Sequence, residues 1–388
     1  MADEERIDPQ EDPEAALEQL AQGPAPESPA RRRRLARAAL YGLRDARRSA
    51  RIGLAVGAVA LLVAIGVGVF AVANDDDKGA AGAGGTGAVT DDIVAGARSG
   101  TVYIRSSGFG EVAAGTGVVV DADEGLVLTN FHVVALGNDL QAGTPDRLDD
   151  AEIEAAAPCE DLALLKVEGL EGRGAIPLGR QDAVAQGDPV VALGYPISAS
   201  GGKSLTSTAG VVSSVNTPLR LPAPDQPRFT NLVQTDAALG AGNSGGPLVG
   251  ADGRLVGINT ILFTGSAGSP SAEQGYAIGV DRVREVLADF RDGRSRAWFG
   301  AGLLTPPPGV LARQHLPSGL LVTAAQDGTS AADLRLEQVL LTRVDGARIG
   351  SSLAAYCRAV GDAQSGDERK LTVIAGGRRE QTVAVEFN

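Results

Sequence analysis

From Val89 to about Asp292 the chain is cut into short apolar runs, each bounded by turn residues. This rhythm limits the fold more than any other feature. Short strands at regular spacing, separated by turn signals, close into a sandwich or barrel. "TVYIRSS" and "EVAAGTGVVVDADEGLVLTN" read as strands, the latter broken by a turn at Asp121–Gly125. "LALLKV", "VVALGYP", "AGVVSSV" and "LVQT" follow, and "GPLVGADGRLVGINT" is a hairpin turning at Asp252-Gly253. One helix, "DRVREVLADFRDG", closes the segment, with Val283, Val286, Leu287 and Phe290 on a single stripe. Asp281 is its expected N-cap and Gly293 its expected C′ residue. An aromatic content of 4% and 52 glycines suit the same turn-rich, mostly β architecture.

A smaller mixed unit starts near Trp298. "GLLVTAA" and "QVLLTRVDG" read as strands, "SSLAAYCRAVG" as an amphipathic helix, and "LTVIAGGRREQTVAVEF" as a hairpin turning at Gly376-Gly377. Leu353, Tyr356, Cys357 and Val360 share one helix face, so Cys357 is expected to be a core residue. Two scattered cysteines make no disulfide framework, and Cys159 reads as unremarkable. A Cys159–Cys357 bond would tie the two units together and is the less expected arrangement.

The N-terminal region has a different character. Residues 1–51 are acidic, then Pro/Ala-rich, then basic, and read as disordered. Nine arginines stand between Arg31 and Arg51, just ahead of 22 uncharged residues, Ile52 to Ala73. About 20 apolar residues cross a bilayer as a helix, and the arginines place the N-terminus in the cytoplasm. The flank and the apolar run are both too long for a cleaved signal peptide, although Ala71-Val72-Ala73 resembles a cleavage site. The expected organisation is a disordered cytoplasmic segment at 1–51, a membrane helix at 52–73 and a flexible linker at 74–92. Residues 93–293 and 297–388 then form two folded units outside the cytoplasm, held at the cell membrane by a single pass. The net charge of −13 argues against nucleic acid as the main partner. No Cys/His spacing suggests a metal site, and no cofactor is expected.

The chain has two histidines, His132 and His315, so imidazole chemistry has few places to occur. His132 follows a strand in "LTNFHVV", Asp161 opens "DLALLKV", and Ser244 lies in "GNSGGPL". A serine hydroxyl becomes a nucleophile when a base lies within hydrogen-bond reach and a carboxylate orients that base. Asp139, Asp146, Asp149 and Asp150 are also close to His132 in sequence, so the chemistry alone leaves the acid open. His315, in "RQHLPSG", reads as a surface loop residue. The glycines around Ser244 let backbone N–H groups converge as an oxyanion hole.

"TGVVVDADEGLVLTNFHVV", "DLALLKV", "QTDAALGAGNSGGPL" and "GYAIGV" together resemble segments of the HtrA (Deg) family of trypsin-like serine proteases. The unit after them resembles that family's PDZ domain. The resemblance covers about residues 93–388 and implies a chymotrypsin-like double β-barrel followed by a small α+β PDZ domain. It implies that His132 is the general base, Asp161 the orienting acid and Ser244 the nucleophile, with Gly242 and Ser244 forming the oxyanion hole. Ala238 and Tyr276 would line the substrate pocket. The small neutral Ala238 favours cleavage after small or medium aliphatic residues, and "TGSAGSPSAEQG" would shape the pocket wall. The expected partners are polypeptide substrates and C-terminal peptides, the latter captured by Trp298, Phe299, Gly300 and Ala301. The family's homotrimers are an assembly the resemblance allows. Two features depart from its PDZ pattern: Glu337-Gln338 replaces a Gly-Asp pair, and "TPPPG" stiffens residues 305–309. The competing reading is a catalytically silent PDZ-type sensor that binds peptides at the membrane.

Overall fold

The computed structural model describes residues 91–108, 111–137, 139–197, 204–219, 229–263, 274–306, 309–375 and 379–388. The expected membrane helix, the Gly376-Gly377 turn and most of the "TGSAGSPSAEQG" loop lie outside the described residues. Among the described residues no helix is long and apolar enough to cross a membrane.

Helix α1, Asp91–Ser99, comes first. Six strands then close the first barrel: β1 Thr101–Gly108, β2 Glu111–Asp121, β3 Leu126–Thr129, β4 Asp139–Thr144, β5 Arg147–Ala157 and β6 Leu162–Val167. Their order is β1-β2-β3-β6-β5-β4, with β1 pairing back to β4. A short helix α2, Phe131–Val134, follows β3. The second barrel repeats that order as β7-β8-β9-β12-β11-β10. Its strands are β7 Pro189–Gly194, β8 Thr206–Leu219, β9 Phe229–Thr235, β10 Pro247–Gly250, β11 Leu255–Phe263 and β12 Gln274–Gly279. The mostly β, double-barrel expectation is therefore met.

Strand β6 shows how the barrels join. Its residues are buried on both faces: Leu162 and Leu164 belong to the cluster shared with the second barrel, while Ala163 and Leu165 belong to the other main cluster. Such two-sided burial explains why Leu162 to Leu165 read as a continuous apolar run, which ends at the exposed Lys166. Helix α3, Val280–Arg291, sets Val283, Val286, Leu287 and Phe290 into the shared cluster. Its N-cap is Gly279, not Asp281. Asp281 lies two residues further in, within the first turn, and its carboxylate accepts instead from the Gln181 N–H at 3.2 Å. Gly293, with φ 73°, does follow the helix as expected.

The C-terminal unit is a sheet in the order β13-β14-β15-β17-β18, with β16 attached to β15. Its strands are β13 Ala301–Leu304, β14 Leu320–Ala325, β15 Val339–Val344, β16 Ala347–Arg348, β17 Glu368–Ile374 and β18 Glu380–Glu386. Helices α4 Val310–Arg313, α5 Ser330–Asp333 and α6 Leu353–Val360 fill the connections. The Ser352 side chain caps α6 by accepting from Ala355 N–H. The turn at Glu337-Gln338 survives the departure noted above, with Gln338 at φ 61°.

This sheet packs on the first barrel. One apolar cluster runs from Val102, Ile104 and Leu165 to Trp298, Phe299, Leu303 and Tyr356. Arg296 N–H donates to the Ala156 carbonyl at 3.0 Å. Thr323 Oγ1 donates to the carbonyl of Ala135, the residue that ends α2. Cys159 and Cys357 form a disulfide with Cα atoms 5.6 Å apart. This corrects the expectation of an unremarkable Cys159 and a simple core role for Cys357, against which the bond is the less expected arrangement. Cys357 lies beside the α6 core stripe and turns toward the barrel, a direction that helix periodicity alone does not reveal.

Candidate active site

His132 occupies the second position of α2, immediately after buried β3 and Asn130. Asp161 sits in the turn between β5 and β6 at φ 53°, a left-handed conformation that a short polar side chain tolerates. The turn is held on several sides. Asp161 N–H donates to the Pro158 carbonyl, and the Asp161 carbonyl accepts from Asn130 Nδ2 at 2.9 Å. Next to it, Glu160 forms an ion pair with Arg282 of α3. Burial works against the Arg282 charge, but Glu160 and then Glu285 hold the guanidinium above its ordinary pKa.

The His132 Nδ1 atom lies 3.0 and 2.9 Å from the two Asp161 oxygens. A carboxylate can only accept, so Nδ1 donates, and in the neutral ring Nε2 keeps its lone pair. The Asp161 side chain is 4% exposed and that of His132 is 38% exposed, so the ring is half open to solvent above a buried acid. Asp161 also receives the His132 backbone N–H at 3.0 Å and Thr260 Oγ1 at 2.7 Å.

Ser244 comes from the second barrel, just before β10. Its hydroxyl donates to the Thr260 carbonyl at 3.3 Å. Thr260 thus touches both the buried acid and the serine. Nothing in its strand pattern marked it, although a hydroxyl that is 7% exposed on an apolar strand needs a partner. Gly242 and Gly245 adopt φ 97° and 83°. A Cβ on Gly245 would lie 2.1 Å from the Thr116 carbonyl oxygen, so only glycine fits there. Among the described residues the Gly242 and Ser244 N–H groups have no hydrogen-bond partner.

Ala238 is exposed, and its carbonyl accepts from Thr208 Oγ1 at 2.7 Å. Tyr276 is 5% exposed within the cluster shared by the barrels, and burial raises the pKa of its phenol. Trp298, Phe299 and Ala301 are all buried, and Trp298 Nε1 donates to the Ala301 carbonyl at 3.0 Å. His315 stands far along the chain in an exposed loop, at φ 55°. No group of acidic, His or Cys side chains among the described residues could hold a metal ion.

Residues 115–258, which include His132, Asp161 and Ser244, match the family described as "Trypsin-like peptidase domain". The chain is 36% identical to the bovine (Bos taurus) mitochondrial serine protease HTRA2 over 219 residues, 53% of this chain and 44% of that protein. It is 33% identical to a probable periplasmic serine endoprotease, DegP-like, of Halomonas elongata over 287 residues, 70% of this chain and 56% of that one. Among solved structures it is similar to the HtrA-type protease AlgW with tripeptide. That likeness covers 76% of this chain and 95% of the other, at 28% identity and a TM-score of 0.47. The chain spans about half the length of the curated relatives it matches.

Proposed function

The chain belongs to the HtrA family of trypsin-like serine proteases, and on that premise we propose that it is a serine endopeptidase using Ser244, His132 and Asp161. The observation that carries this reading is His132 Nδ1 held 2.9 Å from a carboxylate oxygen of buried Asp161, with Thr260 joining that acid to Ser244. Ser244 Oγ attacks the scissile carbonyl carbon while Nε2 of His132 takes its proton. Asp161 steadies the resulting imidazolium by accepting from Nδ1–H. The Gly242 and Ser244 N–H groups stabilise the oxyanion. The tetrahedral intermediate collapses to an acyl-enzyme as His132 gives the proton to the leaving amine. Water, deprotonated by His132, then releases the acid product and restores Ser244. Ala238 offers a primary pocket no countercharge, which suits small or medium aliphatic side chains.

In this reading residues 52–73 anchor the protein and the folded units act outside the cytoplasm on misfolded or regulatory proteins. The Cys159–Cys357 bond supports that placement, because disulfides persist in oxidising compartments. The C-terminal unit acts as a PDZ-type module. Strand β13 is terminal in its sheet, so an extended C-terminus could add alongside it, with its carboxylate at Trp298-Phe299-Gly300-Ala301.

Incubation of the full chain with a permanently unfolded protein tests the catalytic reading. The wild type should yield peptides ending in small aliphatic residues, and Ser244→Ala should yield none. Equal cleavage by both would assign the activity elsewhere. No cleavage by either, together with measurable binding of C-terminal peptides, would favour the silent sensor.

A further inference from the structure

The N–H groups that would hold the oxyanion belong to a loop which glycine makes accessible but does not fix. A Cβ on Gly242 would lie 2.3 Å from the Tyr195 carbonyl oxygen, and its φ of 97° is open to glycine at little cost. The same freedom lets the neighbouring peptides rotate; inside the loop the Asn243 carbonyl accepts from Gly246 N–H at 3.0 Å, which orients the peptide carrying Ser244 N–H, and the peptides on either side are held from outside.

The outside contacts converge from two places. The Ala241 carbonyl accepts from Ile197 N–H at 2.7 Å. The C=O and N–H of one trans peptide point in opposite directions, so this bond turns the Gly242 N–H away from Ile197. The next carbonyl, that of Gly242, accepts from Thr116 Oγ1 at 2.7 Å. The Ser244 carbonyl accepts from Thr116 N–H at 2.9 Å. One residue of β2 therefore holds the carbonyls on both sides of Asn243.

Thr116 is fully buried, and each of its polar groups is engaged. Its single hydroxyl proton goes to Gly242, and its oxygen accepts from Tyr195 N–H at 3.0 Å, two residues before Ile197. Its own carbonyl accepts from Thr129 Oγ1 at 2.7 Å. Thr116 is in the first barrel and the serine loop in the second. The contact fixes the loop across the barrel boundary.

We propose that Thr116 is a positioning residue for this protease: its hydroxyl clamps the Gly242 carbonyl to the Tyr195–Ile197 segment and so keeps the Gly242 and Ser244 N–H groups aimed at one point. The inference rests on the proposed serine-protease function. Thr116 touches no substrate and transfers no proton.

The test compares full-length wild type, Thr116→Val and Thr116→Ser on one fluorogenic peptide, with fluorophosphonate labelling of the wild type as control. Thr116→Val keeps the shape and removes the hydroxyl. It should lower kcat about 10- to 100-fold with KM within about threefold, since misdirected oxyanion donors weaken the transition state more than substrate binding. Thr116→Ser should restore kcat to within about threefold of wild type. A folded Thr116→Val variant with wild-type kcat would overturn the proposal, as would a serine variant as slow as the valine one. If Thr116→Val does not fold, Thr116→Ala takes its place. Failure of both to fold would make the hydroxyl a requirement of the fold and also overturn the proposal. A wild type that neither labels nor turns over would instead overturn the underlying protease reading.

Discussion

At the scale of single residues, the site depends on which hydroxyls reach the buried carboxylate. Thr260 Oγ1 donates to Asp161 at 2.7 Å from a position that is 7% exposed. A hydrogen bond to a charged acceptor is worth about 1.5–3 kcal/mol. Thr260→Val should accordingly slow peptide hydrolysis about tenfold or more, while Thr260→Ser stays near wild type; steady-state kinetics of the two variants check this. His132, Asp161 and Ser244 were legible because each stands in a distinctive block at a strand end or turn. Thr260 and Thr116 were not. A threonine on a β-strand is an ordinary occupant, and its hydroxyl acquires meaning only when the other barrel closes over it.

The elements divide along similar lines. β6, the β10–β11 hairpin and α3 were legible from apolar periodicity and turn residues. β4 and β5 were not, because "DLQAGTPDRLDDAEIEAAA" carries many charges on half-exposed positions and lacks an apolar rhythm. Helix α3 also supplies a testable link to the C-terminal unit. Asp289 accepts from Arg294 and Arg296, at the start of the connection to Trp298. Chiefly through Arg294 and then Arg296, its carboxyl is held below the ordinary carboxylate pKa, against the effect of burial. A carboxyl lowered in the folded state adds stability above its unfolded pKa of about 4 and loses it as pH falls through the folded value. The unfolding midpoint in urea should therefore decline below about pH 4, and Asp289→Asn should flatten that decline. An unchanged slope in the variant would assign the acid sensitivity to other carboxyls.

For the whole molecule, the main surprise is how firmly the C-terminal unit is docked. Its sequence read as a second, separate folded unit; the structure shows a shared core, the Thr323–Ala135 bond, and a disulfide spanning 198 residues. That disulfide enters the barrel two residues before Asp161, and Ala135 lies three residues after His132. Two ties therefore reach segments that carry the site, a pairing that cysteine counting could not supply because two cysteines at long separation fix no geometry. Breaking the disulfide by Cys357→Ser should cost about 2–4 kcal/mol of stability, read as a lower denaturant midpoint. It should also increase binding of hydrophobic C-terminal peptides, because β13 and α6 would no longer be latched to the first barrel. Unchanged peptide binding would make the bond a purely structural staple.

The reaction class itself is tested most directly by covalent labelling. The full chain is treated with a fluorophosphonate, and intact mass is recorded beside Ser244→Ala. The account predicts one adduct on the wild type, located at Ser244 and absent from the variant. A wild type that takes up no label, or a variant that labels equally, would contradict it.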